Sequence, residues 1–447
     1  MKDGDRPGAQ GVRFWLVLLG LVAIFGLFAL SCGGGDNEGK EATTSAGGGA
    51  KIDALLALSY PQSASVYLKE AIENNLVKTF LFCDGDKSED VIKAVGAENL
   101  EGMEGTVSAA SAIPAEWQSE YEGTFGRLPP LPYIAESYDA VVMVALGAEK
   151  AQSTDPIAIR DAMRTLNDPT GQDVTSGATG IQTALDLIHQ GKAINYQGAS
   201  GFAGWDDNGD VPAGNIEVWK FASGAIETVR TEPVTLSTLS ATKPFTPPAN
   251  KTPGPLKIGI LFDFTGDLAE YGGNMLNGAN LALNEINAAG GILGQPIEFK
   301  QADSQTSPTV AVDAARQLVE SDKVSAVIGS LSSGVTLAVA EGVTIPDKVI
   351  LISPASTSPA LTSLEDDDMV FRTTLSDAAQ GPVLAELAQE LGYKTVSTMY
   401  VNNAYGQGLS EEFTKAFEAA GGTVLAQVPH EQEQASYLAE LQKAVGK

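Results

Sequence analysis

Cysteine, histidine and basic residues are scarce in this chain: two Cys, two His, and 28 Lys and Arg against 56 Asp and Glu among 447 residues. With only His189 and His430 present, histidine-rich metal sites are excluded and histidine-based catalysis is poorly supplied. The formal net charge of -28 makes an acidic surface that repels nucleic acid and anionic lipid, so neither is expected as a partner. A phosphate loop with Gly-Lys-Ser/Thr is missing. The stretch GSLSSG at residues 329–334 has no serine centred between two glycines, which removes the nucleophile elbow. Asp206, Asp207, Asn208 and Asp210 have the composition of a calcium loop without its spacing or its closing glutamate, and a hairpin turn is expected there instead. No enzyme, cofactor or metal site is expected.

What is present begins with a targeting signal. Arg6 and Arg13 precede an apolar stretch at residues 14–30 that closes on Ser31 and Cys32. A small residue, a cysteine, then Gly33 to Gly35 and a polar tether resemble the lipobox of bacterial lipoproteins, in which the cysteine is acylated and becomes the new N-terminus. A retained anchor helix is the alternative, since 17 apolar residues reach the short limit of a membrane span. Both readings place the protein outside the cell, tethered to the membrane, and the first makes residues 1–31 a signal peptide. Acylation of Cys32 leaves only Cys83, so an intrachain disulfide is excluded and the apolar core must hold the fold alone. Cys83 itself reads as a buried structural cysteine.

Two further segments read as connectors. Residues 32–50 are rich in Gly, Ser, Thr and acid and form a flexible tether; residues 231–255 carry six prolines among Thr and Ser and form a semi-rigid surface linker, expected to lack a fixed path and to tolerate cutting. Between them, residues 51–230 and 256–447 alternate short apolar runs with amphipathic periods. Strands are expected at 257–262, 297–301, 326–328, 349–352, 396–401 and 423–427, and helices at 271–289, 308–320, 380–391 and 408–420. That alternation predicts βαβ units around parallel sheets, an α/β fold in two lobes. The front portion supplies a strand and helix at 52–76, a strand at 79–82, a helix at 138–151 and a hairpin at 204–221.

The ends of the chain carry a topological expectation. Tyr437, Leu438, Leu441 and Val445 recur at helical spacing with no strand after them, and the apolar run of Ile52 and residues 54–58 has no helix before it. Joined tail to head they make an ordinary helix-to-strand step, which predicts a circular permutation. In that case residue 52 should lie beside the strand containing Val424, with the last helix packed across both.

In open α/β sheets ligands sit beyond the carboxyl ends of the strands. Two such loops, GSLSSGVT from Gly329 and SPASTSPALT from Ser353, are rich in small hydroxyls able to hold a carboxylate. The stretch from Lys257 to Phe299 (KIGILFDFTGDLAEYGG…IEF), the two hydroxyl loops, FRTT at Phe371 and NNAYGQG at Asn402 resemble the front half of the type I periplasmic binding proteins that serve branched-chain amino acid ABC transporters. LLALSYPQSASVYLKEA, FLFCDG, SYDAVVMVALGAEKA and WDDNGD resemble that family's back half.

The resemblance implies a solute-binding protein that closes two lobes on an amino acid, or a related small zwitterion or amide, and delivers it to an ABC transporter permease. A ligand-sensing receptor ectodomain is the alternative. It implies that Ser333, Thr357 and the backbone of Ala355 hold the ligand carboxylate, that Asp84 pairs with the ammonium, that Tyr60 faces the head group, and that Tyr271, Tyr405 and Tyr133 line the side-chain pocket. Ser332 stands where some members carry a cysteine, and Tyr133 where some carry phenylalanine. One lobe is expected to comprise residues 256–377 with 113–171, the other 378–447 with 52–112 and 198–230, as a monomer or a domain-swapped oligomer.

Overall fold

The computed structural model describes residues 52–109, 113–252 and 254–447; the signal segment, Cys32 and the tether lie outside them. Two separate parallel sheets dominate. In the first, the strands run in the order Val370–Arg372, Ile350–Ser353, Ala326–Gly329, Lys257–Phe262, Glu298–Asp303. Its central strands are short, wholly buried aliphatic runs such as AVIG, as a sheet covered on both faces requires. Helices Ala269–Ala288 and Ile134–Ala151 pack against each other beside it.

The second sheet has the order Thr423–His430, Thr395–Val401, Ala54–Leu58, Phe80–Leu81. Here the expectation for the first strand needs correcting. It begins at Ala54, and Leu56 pairs with Thr398 on one side and Leu81 on the other, so it sits next to Thr395–Val401 and not next to Thr423–His430. The reason is burial: all five residues of Ala54–Leu58 are buried, which demands a central place, whereas Thr423–His430 is half exposed, carries Pro429 and suits an edge. The last helix, Leu438–Ala444, does pack on this sheet, and the Ala444 carbonyl accepts from Ser397 Oγ at 2.7 Å. A bridge from Phe82 to Gly105 continues the sheet into the antiparallel strands Glu104–Ala109, Ala213–Ala222 and Ala225–Thr235.

Two further differences follow from local chemistry. The WDDNGD segment is not the tip of the hairpin, which turns at Ser223 and Gly224; it is an Asp-stabilised turn ahead of the hairpin, with Asp206 Oδ1 accepting from the backbone of Asn208 and Asp210. It docks on the first sheet: Asp210 pairs with buried Arg372 at 2.7 Å and Trp205 Nε1 donates to the Arg372 carbonyl. Residues 198–210 therefore belong with the first lobe, and only 213–235 with the second. The proline-rich linker, second, has a path. Its first residues extend the strand to Thr235, Phe245 packs against Ala151, Ala158 and Ala162, and the Thr252 carbonyl accepts from the Thr154 backbone at 3.1 Å. Half-buried Phe245 and the hydrogen bonds of Ser237 and Ser240 to Asp206 and Asp207 and of Thr252 to Ser153 together dock it, at small entropic cost for an already stiff chain.

Candidate functional site

The carboxyl ends of the two parallel sheets face each other, and the loops beyond them meet. After Ala54–Leu58 the chain places Tyr60 immediately before helix Pro61–Glu73, whose proline supplies no amide and stands at a position where none is needed. After Phe80–Leu81 it makes a tight 3-10 turn, Asp84–Asp86. Gly85 is required there, since a Cβ would lie 2.0 Å from the Ser59 carbonyl oxygen. After Thr395–Val401, Asn403 caps helix Ala404–Ala419, its Oδ1 accepting from the Tyr405 and Gly406 amides, and this aims Tyr405 inward. From the first sheet come Ser333 after Ala326–Gly329, Ala355 after Ile350–Ser353, and Tyr271 on helix Ala269–Ala288.

These side chains converge on one small cavity of about 20 Å³, room for a single water. Its walls are Tyr60, Asp84, Gly85, Tyr133, Leu268, Tyr271, Leu331, Ser333, Ala355 and Tyr405. Seven of the eight residues expected from sequence are among them. Thr357 is the one the structure does not bring to the wall: it is fully buried and its hydroxyl donates to Asp377 Oδ2 at 2.9 Å. Its neighbour Ser333 accepts from the Ser358 amide at 3.2 Å, which ties the two hydroxyl loops together.

Asp84 is the chemical centre. Its Oδ1 accepts from Tyr405 Oη and from Gln380 Nε2, both at 2.9 Å, and its Oδ2 accepts from Tyr133 Oη at 2.9 Å. Burial raises its pKa and these three donors oppose the rise; no lysine, arginine or histidine pairs with it among the described residues. Burial likewise pushes Asp377 well up, with the nearby Asp84 carboxylate adding to it. Tyr133, Tyr271 and Tyr405 are pushed well above the usual phenol range, chiefly by burial, and so stay protonated as donors. Tyr271 Oη lies 3.2 to 3.3 Å from the carbonyls of Asp84, Gly85 and Lys87 and braces the turn. Across the cleft, Tyr60 Oη donates to Ser332 Oγ at 2.9 Å and stacks on Tyr405 with ring centroids 5.5 Å apart. Cys83 is fully buried behind this wall, 3.0 Å from Tyr405 Oη.

Sequence reasoning missed Gln380 and Asp377. A signal for the first existed: Gln380 is a lone amide on the face that buries Ala379, Val383, Leu384 and Leu387, and a polar group there needs a partner.

The family profile described as periplasmic binding protein matches residues 44–188 and 255–447. The chain belongs to the periplasmic binding protein family, type I. This periplasmic binding protein is 34% identical over 169 residues to Leu/Ile/Val-binding protein homolog 3 of Brucella melitensis, covering 38% of this chain and 45% of that protein. It is 34% identical over 167 residues to the leucine-, isoleucine-, valine-, threonine- and alanine-binding protein of Pseudomonas aeruginosa, covering 37% and 44%. Among solved structures it resembles the branched-chain amino acid transporter substrate binding protein of Streptococcus pneumoniae in complex with isoleucine, at 34% identity and a TM-score of 0.39, over 43% of this chain and 55% of that one. The chain thus spans about half the length of the curated relatives it matches. These relatives are binding proteins rather than enzymes.

Proposed function

We propose that this protein captures an amino acid, or a related small zwitterion or amide, between its two lobes and delivers it to an ABC transporter permease. The ligand ammonium pairs with Asp84, and its carboxylate meets the Ser333 hydroxyl and the Ala355 backbone on the opposite lobe. The observation that carries the reading is Asp84 itself: a buried carboxyl, ringed by neutral donors, with no lysine, arginine or histidine paired to it among the described residues and with a hydroxyl loop of the other lobe across the same cavity. An unpaired buried anion is costly, and a ligand cation supplies what the protein withholds. Because the cavity holds about one water, ligand entry requires the lobes to part by a hinge motion.

The remaining parts of the reading rest on other supports. Extracytoplasmic placement follows from the family, and lipid attachment at Cys32 from the residues around it. Circular permutation is supported by the packing of the last helix and the first strand on one sheet, with Tyr437 N donating to Glu70 Oε2 at 2.7 Å as a second tie between the two ends. A thermal-shift panel of the twenty amino acids and small amides on the purified protein tests the function. Stabilisation by one or more aliphatic amino acids, absent with the corresponding amines and carboxylic acids alone, is expected; no response to any zwitterion contradicts it.

A further inference from the structure

Resting on that cleft assignment, we propose that the larger pocket beside the cleft is an extension subsite for an amino acid whose side chain is elongated and ends in a hydrogen-bond donor, received by Glu136. The pocket encloses about 380 Å³ between Trp117, Leu128, Pro130, Tyr133, Glu136 and the Lys87–Glu217 pair. Among the described residues, Tyr133 is the one that lines both this pocket and the cleft cavity. Its backbone sits at φ 70°, a left-handed conformation that bulky side chains rarely adopt, and this places its ring at the boundary of the two spaces. Since the Tyr133 hydroxyl already touches Asp84, a ligand whose ammonium is held at Asp84 has the second pocket next to its head group.

The polar groups of the pocket single out Glu136. Lys87 and Glu217 satisfy each other at 2.6 Å, and Thr228 donates to the second Glu217 oxygen at 2.6 Å. Glu136, in the first turn of helix Ile134–Ala151, is 5% exposed; its carboxyl accepts from its own backbone N–H and meets no side-chain partner among the described residues. Burial raises its pKa to about 8, and in either protonation state a carboxyl oxygen is left to accept from a phenol or an amide N–H. The walls of Trp117, Leu128 and Pro130 are flat and apolar and suit the ring or chain that would carry such a donor.

Calorimetry of the full chain with leucine, phenylalanine and tyrosine tests this. Tyrosine is expected to bind roughly three- to tenfold more tightly than phenylalanine, the worth of one neutral hydrogen bond. Glu136→Leu should erase that difference and Glu136→Gln, whose amide oxygen still accepts, should keep it, with leucine binding retained in both as proof of folding. If leucine binds but tyrosine binds no better than phenylalanine, the subsite is overturned and the cleft assignment stands. If none of the three binds, the subsite is overturned as stated, and the thermal-shift panel alone decides the cleft assignment.

Discussion

The Tyr405 hydroxyl donates to Asp84 at 2.9 Å, joining two residues 321 positions apart in the chain. The contact exists because two strands of one parallel sheet, Thr395–Val401 and Ala54–Leu58, are neighbours, with Phe80–Leu81 next in line, so the loops beyond their ends fall together. It also defines the chemistry of the cleft. Phenols and an amide can solvate a carboxylate but cannot neutralise it, which is why the proposed ligand ammonium is placed at Asp84.

Buried carboxyls make stability depend on pH in a definite direction. Burial raises Glu136 from 4.5 to about 8, and raises Asp139 from 3.8 to about 6 against the hydrogen bonds it accepts from Ser200, Tyr196 and Ala199. A group whose folded pKa exceeds its unfolded one holds its proton more tightly in the fold, so stability falls as pH rises from the unfolded value through the folded one. The melting temperature should therefore drop between pH 5 and pH 8. Glu136→Gln should flatten the upper part of that slope. Calorimetric melting across this range checks it; a melting temperature that rises from pH 5 to 8 contradicts it.

Arg372 and Asp210 form a buried ion pair, 1% and 9% exposed. Arg372 also donates to the carbonyls of Ser356 and Ser358, so the pair props the loop that carries Ala355. Asp210→Ala should cost about 3 to 5 kcal/mol, because it strands a buried guanidinium. Chemical denaturation measures the loss. Arg372→Met combined with Asp210→Leu should recover much of it, since no charge is then left unpaired.

The proline-rich linker follows a fixed path with an exposed stretch. Phe245 and Thr252 are docked, while Ala249, Asn250 and Lys251 between them are exposed. A protease site introduced at residues 249–251 should be cut without separating the two fragments, because the core contacts between them do not depend on the covalent join. Gel filtration of the cut protein should give one peak that still binds ligand. Two separate peaks would show that the linker holds the halves in register.

Much of this was legible in the sequence where one residue pattern admits one arrangement. The run KIGILF became the strand Lys257–Phe262 with no shift, because the five uncharged residues after Lys257 are all buried, as a central parallel strand requires. The cleft residues were legible through the resemblance: Tyr60, Asp84, Ser333, Ala355 and Tyr405 each follow a recognisable strand, whereas Tyr271 and Tyr133 lie on or at the start of a helix. Three things were not. Thr357 points at Asp377 rather than the cavity because a second buried carboxyl, which no local pattern announces, claims its hydroxyl. The strands Gln172–Thr175 and Ile194–Gln197 escaped notice because they are short and partly polar. The neighbour of the first strand was misjudged because sequence order at the two ends says which elements adjoin, whereas burial decides which strand is central.

The most direct test compares ligand affinity in Asp84→Ala and Ser333→Ala by titration calorimetry, with the amino acid that stabilises the wild-type protein most. If Asp84 balances the ligand ammonium, its loss strands a buried cation and should cost about 3 to 5 kcal/mol, against roughly 0.5 to 1.5 kcal/mol for one neutral hydrogen bond at Ser333. An Asp84→Ala protein that folds and binds with wild-type affinity would remove Asp84 from the site and contradict the account.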